Sequence, residues 1–354
     1  MPSRSLFNRN RNRRASTPGR TVNPIVFETV EERTLLAAAP PLNIAPVVTD
    51  QIAAINVSAN DSSSEIDLTS HFDDADVLYR FDSVMGDINV RMFQTETPGT
   101  VANFQAYADA GDYDNNFIHR SVPGFIIQGG MATWSDNPAA ASDIETHPPI
   151  TNEPGISNVR GTIAMAKLGD NPDSATSQWF FNTSDNSANL DVQNGGFTVF
   201  GTVVGDGMAV VDAINALPTY NAGGPYSDLP LRSEPTDSIH TEHLVLFNSI
   251  SEITDELIFE VIGNTNTVLI ENATIDVDGK LTLQYAAGQS GDAQITVRAT
   301  DLDGASVDTT FDVNVAATPE PTTIAILAAG GAVIATRRKR KEQNQATGVQ
   351  QEDK

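Results

Sequence analysis

Most of the chain between Leu78 and Ile250 falls into short apolar segments, too brief to build helices. "LYRFDSVMGDINVRMF" (78–93) puts Tyr79 and Phe81 on one face, and Arg80 and Asp82 on the other. Gly86-Asp87 carries a tight-turn signal, and Ile88, Val90 and Met92 resume the alternation, so the stretch predicts a β-hairpin. "FIHRSV", "GFIIQGG", "GTIAMAK", "QWFFNT", "FTVFGTVV" and "EHLVLFNSI" read as further short strands. Helical spacing occurs in two places. "TPGTVANFQAYADAG" has apolar residues at 101, 104 and 107 with Gly111 as its stop, and "GMAVVDAINAL" runs from 207 to 217. Many short strands with two helices predict a mainly β fold, a closed antiparallel β-barrel capped by helices.

Charge narrows the partners. The 354 residues carry a formal net charge of −25, unevenly spread. Seven Arg precede Ala37, and a basic cluster, Arg337 to Lys341, lies near the other end. Only eight of the 21 Lys and Arg fall between, against 40 of the 46 Asp and Glu. Such a body repels phosphate backbones, which argues against a nucleic-acid partner. It also makes each interior cation a question, and Arg120 in "NNFIHRSVPGFIIQGG" (115–130) is one of the eight. With no Cys, disulfides, thiol catalysis and Cys-ligated zinc are excluded. No HExxH motif, Walker A loop or nucleophile elbow occurs, and no metal or cofactor is expected.

"FIHRSVPGFIIQGG", "GTIAMAKLGDNPDSATSQWFF" and "GGFTVFGTVVGDGMAVVDAI" together resemble a cyclophilin, a peptidyl-prolyl cis-trans isomerase, of bacterial type, over about Leu78 to Ile250. The resemblance implies an eight-stranded antiparallel barrel with a helix at each end. It implies that Arg120 is the catalytic arginine and that Gln128 orients it. Phe125, Ile126, Phe180 and Leu190 match the apolar pocket for the proline ring, and Gln178 matches the polar residue beside it. Ala166 and Lys167 match the strand that offers backbone groups to the peptide, a role that does not need the Lys167 side chain. Asn189 stands where many eukaryotic members have a pocket Trp, and Phe197 where they have a pocket His. Taken singly, Phe125, Ile126 and Phe180 read first as barrel core, and an Arg120 alone could be a structural ion pair; their ordered combination with Gln128 and Gln178 favours the site. His119 reads as a packed, hydrogen-bonded residue, because the chemistry transfers no proton.

The flanks differ in character. Residues 44–77 and 251–316, with Asp-Gly turns and "TVRATDLDG", resemble the two parts of one cadherin-like or immunoglobulin-like β-sandwich, interrupted by the 78–250 domain. Asp73, Asp74, Asp76, Asp301 and Asp303 read as ordinary acidic turns, with a calcium-binding rim as the sharper alternative. "FETVEERTLLAAAP" in the basic leader, residues 1–43, resembles the LEPR-XLL segment of large bacterial surface proteins. Pro319-Glu320-Pro321, the apolar run Thr322 to Thr336 and the basic cluster resemble a PEP-CTERM sorting signal over 317–341, before a polar tail, 342–354. That implies export, a C-terminal membrane anchor and a sorting protease of the exosortase type. The expected function is isomerisation of Xaa-Pro bonds in exported or surface proteins, with proline-containing peptides as partners. The alternative is a non-catalytic proline-peptide binding module at the cell surface.

Overall fold

A computed structural model describes residues 37–254 and 257–318. In chain order the principal elements are β1 (Ile55–Ser58), β2 (Ser63–Asp67), β3 (Leu78–Ser83), β4 (Gly86–Met92), α1 (Pro98–Asp109), β5 (Arg120–Val122), β6 (Ile126–Gly129) and β7 (Thr162–Met165). Then follow β8 (Trp179–Asn182), α2 (Ser187–Leu190), β9 (Val199–Val204), α3 (Gly207–Asn215), β10 (Phe247–Ile253), β11 (Ile258–Asn264), β12 (Ile270–Ile275), β13 (Lys280–Tyr285), β14 (Gly291–Thr300) and β15 (Ser306–Ala316).

Eight strands form one antiparallel sheet in the order β10-β3-β4-β9-β7-β8-β6-β5. One face of it buries Tyr79, Phe81, Ile88, Val90, Ile127, Ile163, Trp179, Phe181, Phe200 and Phe247. Phe81 is the centre of this core, with the rings of Trp179, Phe181, Phe104 and Phe247 at 5.1, 5.3, 5.6 and 5.9 Å. Helix α1 adds Val101, Phe104 and Tyr107 to the same core, and α3 adds Val211 and Ile214. The alternation read from the sequence thus selects the buried face.

The fold is mainly β with three α-helices among the described residues, and the sheet is a half-barrel. Its edge strands share no ladder; they meet just outside their ends at one bridge, Phe117 with Leu246. There the Phe247 amide donates to the Asn116 carbonyl at 2.8 Å and the Ile118 amide to the Val245 carbonyl at 3.0 Å. The first hairpin turns one step earlier than the Gly86-Asp87 signal suggests. Ser83 pairs with Gly86, so Val84 and Met85 form the turn and Gly86, at φ +122°, leads the return strand. Helix α2 and a hairpin of Ala132–Asp136 with Ala139–Asp143 carry no periodic signal and were not expected.

Besides a short pairing of Val47–Val48 with Phe72–Asp73, the flanks build two larger sheets, β11-β14-β15-β1 and β12-β13-β2. Each takes one strand from the N-terminal flank: β1 runs parallel to β15, and β2 antiparallel to β13. Ile270, Leu281 and Leu283 from one sheet share a hydrophobic cluster with Ile295, Val297, Phe311 and Val313 from the other.

Arg91, on the outer side of β4, is 5% exposed because the flanks cover it. Its Nε lies 3.1 Å from Asp303 Oδ2 and 3.6 Å from Asp76 Oδ2, and its Nη atoms donate to the carbonyls of Pro41 and Leu42 at 3.1 and 3.2 Å. Asp301 accepts from the amides of Asp303 and Ala305 and from Asn43 Nδ2. Among the described residues no group of three or more His, Asp or Glu is arranged to hold a metal ion.

Candidate active site

The sheet register assembles the site. Arg120 on β5 pairs with Gln128 on β6, Gln128 with Phe180 on β8, Phe180 with Ala164 on β7, and Ala164 with Val199 on β9. Residues directly opposite in a ladder share a face. This transverse row therefore lies on the face opposite Ile127, Phe181 and Ile163, and it forms a second, smaller cluster. Ile126, Ala164, Phe180, Leu190 and Val199 are buried there with Phe93 and Ile156; Phe125, Ala166 and Phe197 are half-buried against them. Six residues expected to bind substrate, Phe125, Ile126, Ala166, Phe180, Leu190 and Phe197, thus lie in one apolar patch.

A polar relay borders the patch. Arg120 Nη1 donates to Gln128 Oε1 at 3.3 Å, and Gln128 Nε2 donates to Gln178 Oε1 at 2.9 Å. The nearest carboxylate to Arg120 is Asp228, at 3.8 Å from Nε, and the arginine side chain is 36% exposed. Its guanidinium is thus oriented by a neutral amide and only loosely neutralised. The Ala166 amide donates to the Gln178 carbonyl at 2.9 Å, tying the end of β7 to the relay.

His119, next to Arg120, is buried, and its Nδ1 has no hydrogen-bond partner. The packed part of its expected role holds, and Nδ1 makes no hydrogen bond. Burial, helped by the Arg120 charge, pushes its pKa down to about 4, so the ring is neutral at ordinary pH.

Three contributors to the site were not expected. Asn215, at the end of α3, holds the β5–β6 turn. It accepts from the Gly124 amide at 3.0 Å and donates to Ser121 Oγ at 3.0 Å and to the Val122 and Ile126 carbonyls at 3.2 and 3.4 Å. Asn186 donates to the Phe125 carbonyl at 2.9 Å from the opposite side. The Lys167 side chain, assigned no role from the sequence, reaches the Asn194 and Gly196 carbonyls at 2.9 and 2.6 Å. Such long-range bonds have no sequence period. The one available signal is Asn215, near the end of the expected helix over 207–217.

Comparison with known proteins fits this geometry. Residues 78–234 match the family model "Cyclophilin type peptidyl-prolyl cis-trans isomerase/CLD". The chain is 42% identical over 149 residues to peptidyl-prolyl cis-trans isomerase A of Dickeya dadantii, which covers 41% of this chain and 74% of that protein. The chain belongs to the cyclophilin family. A second relative, isomerase B of Escherichia coli, is 38% identical over 168 residues, covering 46% of this chain and 98% of its own. A third, from Acinetobacter baylyi, is 38% identical over 153 residues, 42% of this chain and 77% of its own. The cyclophilin is accordingly a peptidyl-prolyl cis-trans isomerase. Residues 317–341 match the PEP-CTERM protein-sorting motif. The apolar run Thr322 to Thr336, read as a membrane anchor, and the LEPR-XLL-like segment, up to residue 36, lie outside the described residues. No helix among the described residues is long and apolar enough to cross a membrane.

Proposed function

We propose that this cyclophilin isomerises Xaa-Pro bonds of exported or surface proteins, with Arg120 stabilising the twisted amide. Rotation about an Xaa-Pro bond is slow because amide resonance opposes it, with a barrier of about 18–20 kcal/mol. When the bond is twisted the prolyl nitrogen becomes pyramidal and its lone pair accepts a hydrogen bond. Arg120 donates to that nitrogen only near the transition state, which is differential binding. A guanidinium suits this task because it stays charged and holds its donors in a rigid plane. The proline ring enters the patch of Phe125, Ile126, Phe180, Leu190 and Phe197. Gln128, itself held by Gln178, keeps Arg120 aligned. The Ala166 carbonyl and the Lys167 amide take the peptide backbone, since the Ala166 amide is already committed. No covalent bond changes, and a neutral His119 transfers no proton.

The observation that carries this reading is the row Arg120–Gln128–Phe180 with its relay to Gln178. Exchange of an Ala-Pro peptide, followed by NMR with the full chain and with Arg120→Ala, tests it. Acceleration that collapses in the variant supports the mechanism. Binding without acceleration replaces it with the recognition-module reading.

The surroundings support an assignment to the cell envelope. The PEP-CTERM match fits export, processing by an exosortase-type protease and a C-terminal anchor over residues 317–341. Strands from both flanks share two sheets and one apolar cluster, which fits a single discontinuous sandwich of residues 44–77 and 251–316, with the cyclophilin domain, 78–250, inserted between them. The bridge of Phe117 with Leu246 fits a barrel closed at that seam.

A further inference from the structure

Three successive residues beside the proline pocket adopt left-handed backbone: Asn194 (φ 52°), Gly195 (φ 77°) and Gly196 (φ 80°). Such a run is strained at Asn194 and requires glycine at Gly196, where an added Cβ would lie 2.8 Å from the Asp191 carbonyl. The turn gathers its carbonyls on side-chain donors. Asn152 Nδ2 donates to the Gly195 and Gly196 carbonyls at 3.2 and 2.8 Å, and Lys167 Nζ to the Asn194 and Gly196 carbonyls at 2.9 and 2.6 Å. The same ammonium lies 4.8 Å from the centre of the Phe197 ring, whose edge-to-face partner is Phe180 at 5.8 Å. The turn also joins two pocket walls: Leu190 precedes it, Phe197 follows it, and the Phe197 amide donates to the Leu190 carbonyl at 2.9 Å.

Lys167 makes no ion pair with a carboxylate among the described residues, although the chain is strongly acidic. Its charge is spent on neutral carbonyls and one aromatic face. Carbonyls converging in a partly desolvated turn repel each other, and a cation at their focus removes that repulsion. Burial lowers the lysine pKa against the opposing pull of Asp173, consistent with an ammonium drawn out of water for a structural purpose.

We propose that the Lys167 side chain is a positioning residue for the proline pocket: it pins the Asn194–Gly196 turn and caps the Phe197 ring, holding that wall against Phe180. The inference rests on the isomerase reading above and concerns substrate binding, where Arg120 concerns turnover. Lys167→Met keeps the aliphatic stem and removes the charge. Line-shape NMR on an Ala-Pro peptide separates its kcat from its KM. The expected result is a KM raised about tenfold, equivalent to about 1.4 kcal/mol, with kcat nearly unchanged. Lys167→Arg, which still reaches carbonyls and a ring face, restores KM. The Asn194–Phe197 amide and Phe197 ring resonances shift and broaden in the Met variant and return in the Arg variant. Lys167→Gln, with an amide donor and no charge, falls between them and serves where the Met variant does not fold. A wild-type KM in the uncharged variants overturns the proposal, even if local resonances move. Absence of accelerated exchange in the unmutated protein overturns instead the isomerase reading, and the resonances still report whether Lys167 holds the wall.

Discussion

The proposed role of Arg120 needs a guanidinium that is aimed but not consumed, and its contacts suit both. One donor is given to Gln128 at 3.3 Å, and the counter-charge of Asp228 stands 3.8 Å away and half-exposed. A tight bidentate carboxylate would have consumed the guanidinium fork, as Asp308 does for Arg298. Arg120→Ala should therefore lower kcat/KM by about 10²–10³-fold, the usual cost of removing one transition-state donor, while leaving peptide affinity nearly intact. Peptide titration alongside exchange NMR checks both halves. The neighbouring His119 makes a second prediction. Its folded pKa, about 4, lies below the ordinary histidine value of 6.5. Between these values the unfolded chain binds a proton that the folded chain refuses, so stability falls as pH falls through that window. A shift of that size corresponds to about 3 kcal/mol. Urea unfolding at pH 7 and pH 4.5 should show a deficit at the lower pH that shrinks in His119→Gln. An equal deficit in both proteins would place the acid sensitivity elsewhere.

At the level of elements, alternation did most of the legible work. Tyr79, Phe81, Ile88 and Val90 are buried as their spacing suggests, and α1 presents Val101, Phe104 and Tyr107. What the spacing could not reveal is that the opposite face of the same sheet carries a second cluster. A two-residue period marks the face that enters the main core but does not say whether the other face meets solvent. Arg91 shows the limit: it alternates outward and is nevertheless buried, because residues far off in sequence cover it. The candidate site was legible through its motif, in the order of Arg120, Phe125, Gln128, Gln178 and Phe180. Its supports were not, because Asn215 acts across about ninety residues of chain on a turn it does not adjoin. Asn215→Ala would remove the partner of the Gly124 amide, the Ser121 hydroxyl and the Ile126 carbonyl, and one of the two donors to the Val122 carbonyl, which keeps the Phe125 amide. We expect a loss of about 1–2 kcal/mol in urea unfolding, chiefly from the hydrogen bonds lost at buried Ser121 and Ile126. Turnover should fall as well, since the loosened turn joins the Arg120 strand to Phe125 and Ile126. Full stability with full turnover would show that water replaces the amide without cost.

Across the whole molecule, one cation ties the cyclophilin sheet to its flanks. Arg91 belongs to β4, Pro41 and Leu42 to the segment entering the fold, Asp76 to the link before β3, and Asp303 to the turn between β14 and β15. Three other parts of the chain thus converge on the one buried guanidinium that β4 supplies. Breaking a buried pair by removing one member leaves the other charge uncompensated, which costs about 3–5 kcal/mol. Arg91→Met should therefore destabilise the protein strongly at neutral pH. The pH dependence identifies the cause. Asp76 already has a raised pKa, chiefly through burial, with Arg91 among the groups that oppose the rise. Without Arg91 the pKa rises further. A carboxylate whose folded pKa lies above its unfolded value disfavours the fold at pH above both, and the penalty fades as pH falls and the folded state takes up the proton. The deficit of Arg91→Met relative to the unmutated chain should be largest near pH 7.5 and shrink near pH 4.5, and comparing the two proteins at each pH cancels the His119 contribution. Urea unfolding followed separately at tryptophan fluorescence, from Trp134 and Trp179 within 78–250, and at amides of β14 and β15 by NMR adds a spatial test. Coincident transitions in the unmutated chain that separate in Arg91→Met would show that this ion cluster couples the two parts. A deficit equal at both pH values, with transitions still coincident, would mean that the apolar contacts around Leu78, Val204 and Leu302 hold the junction without it.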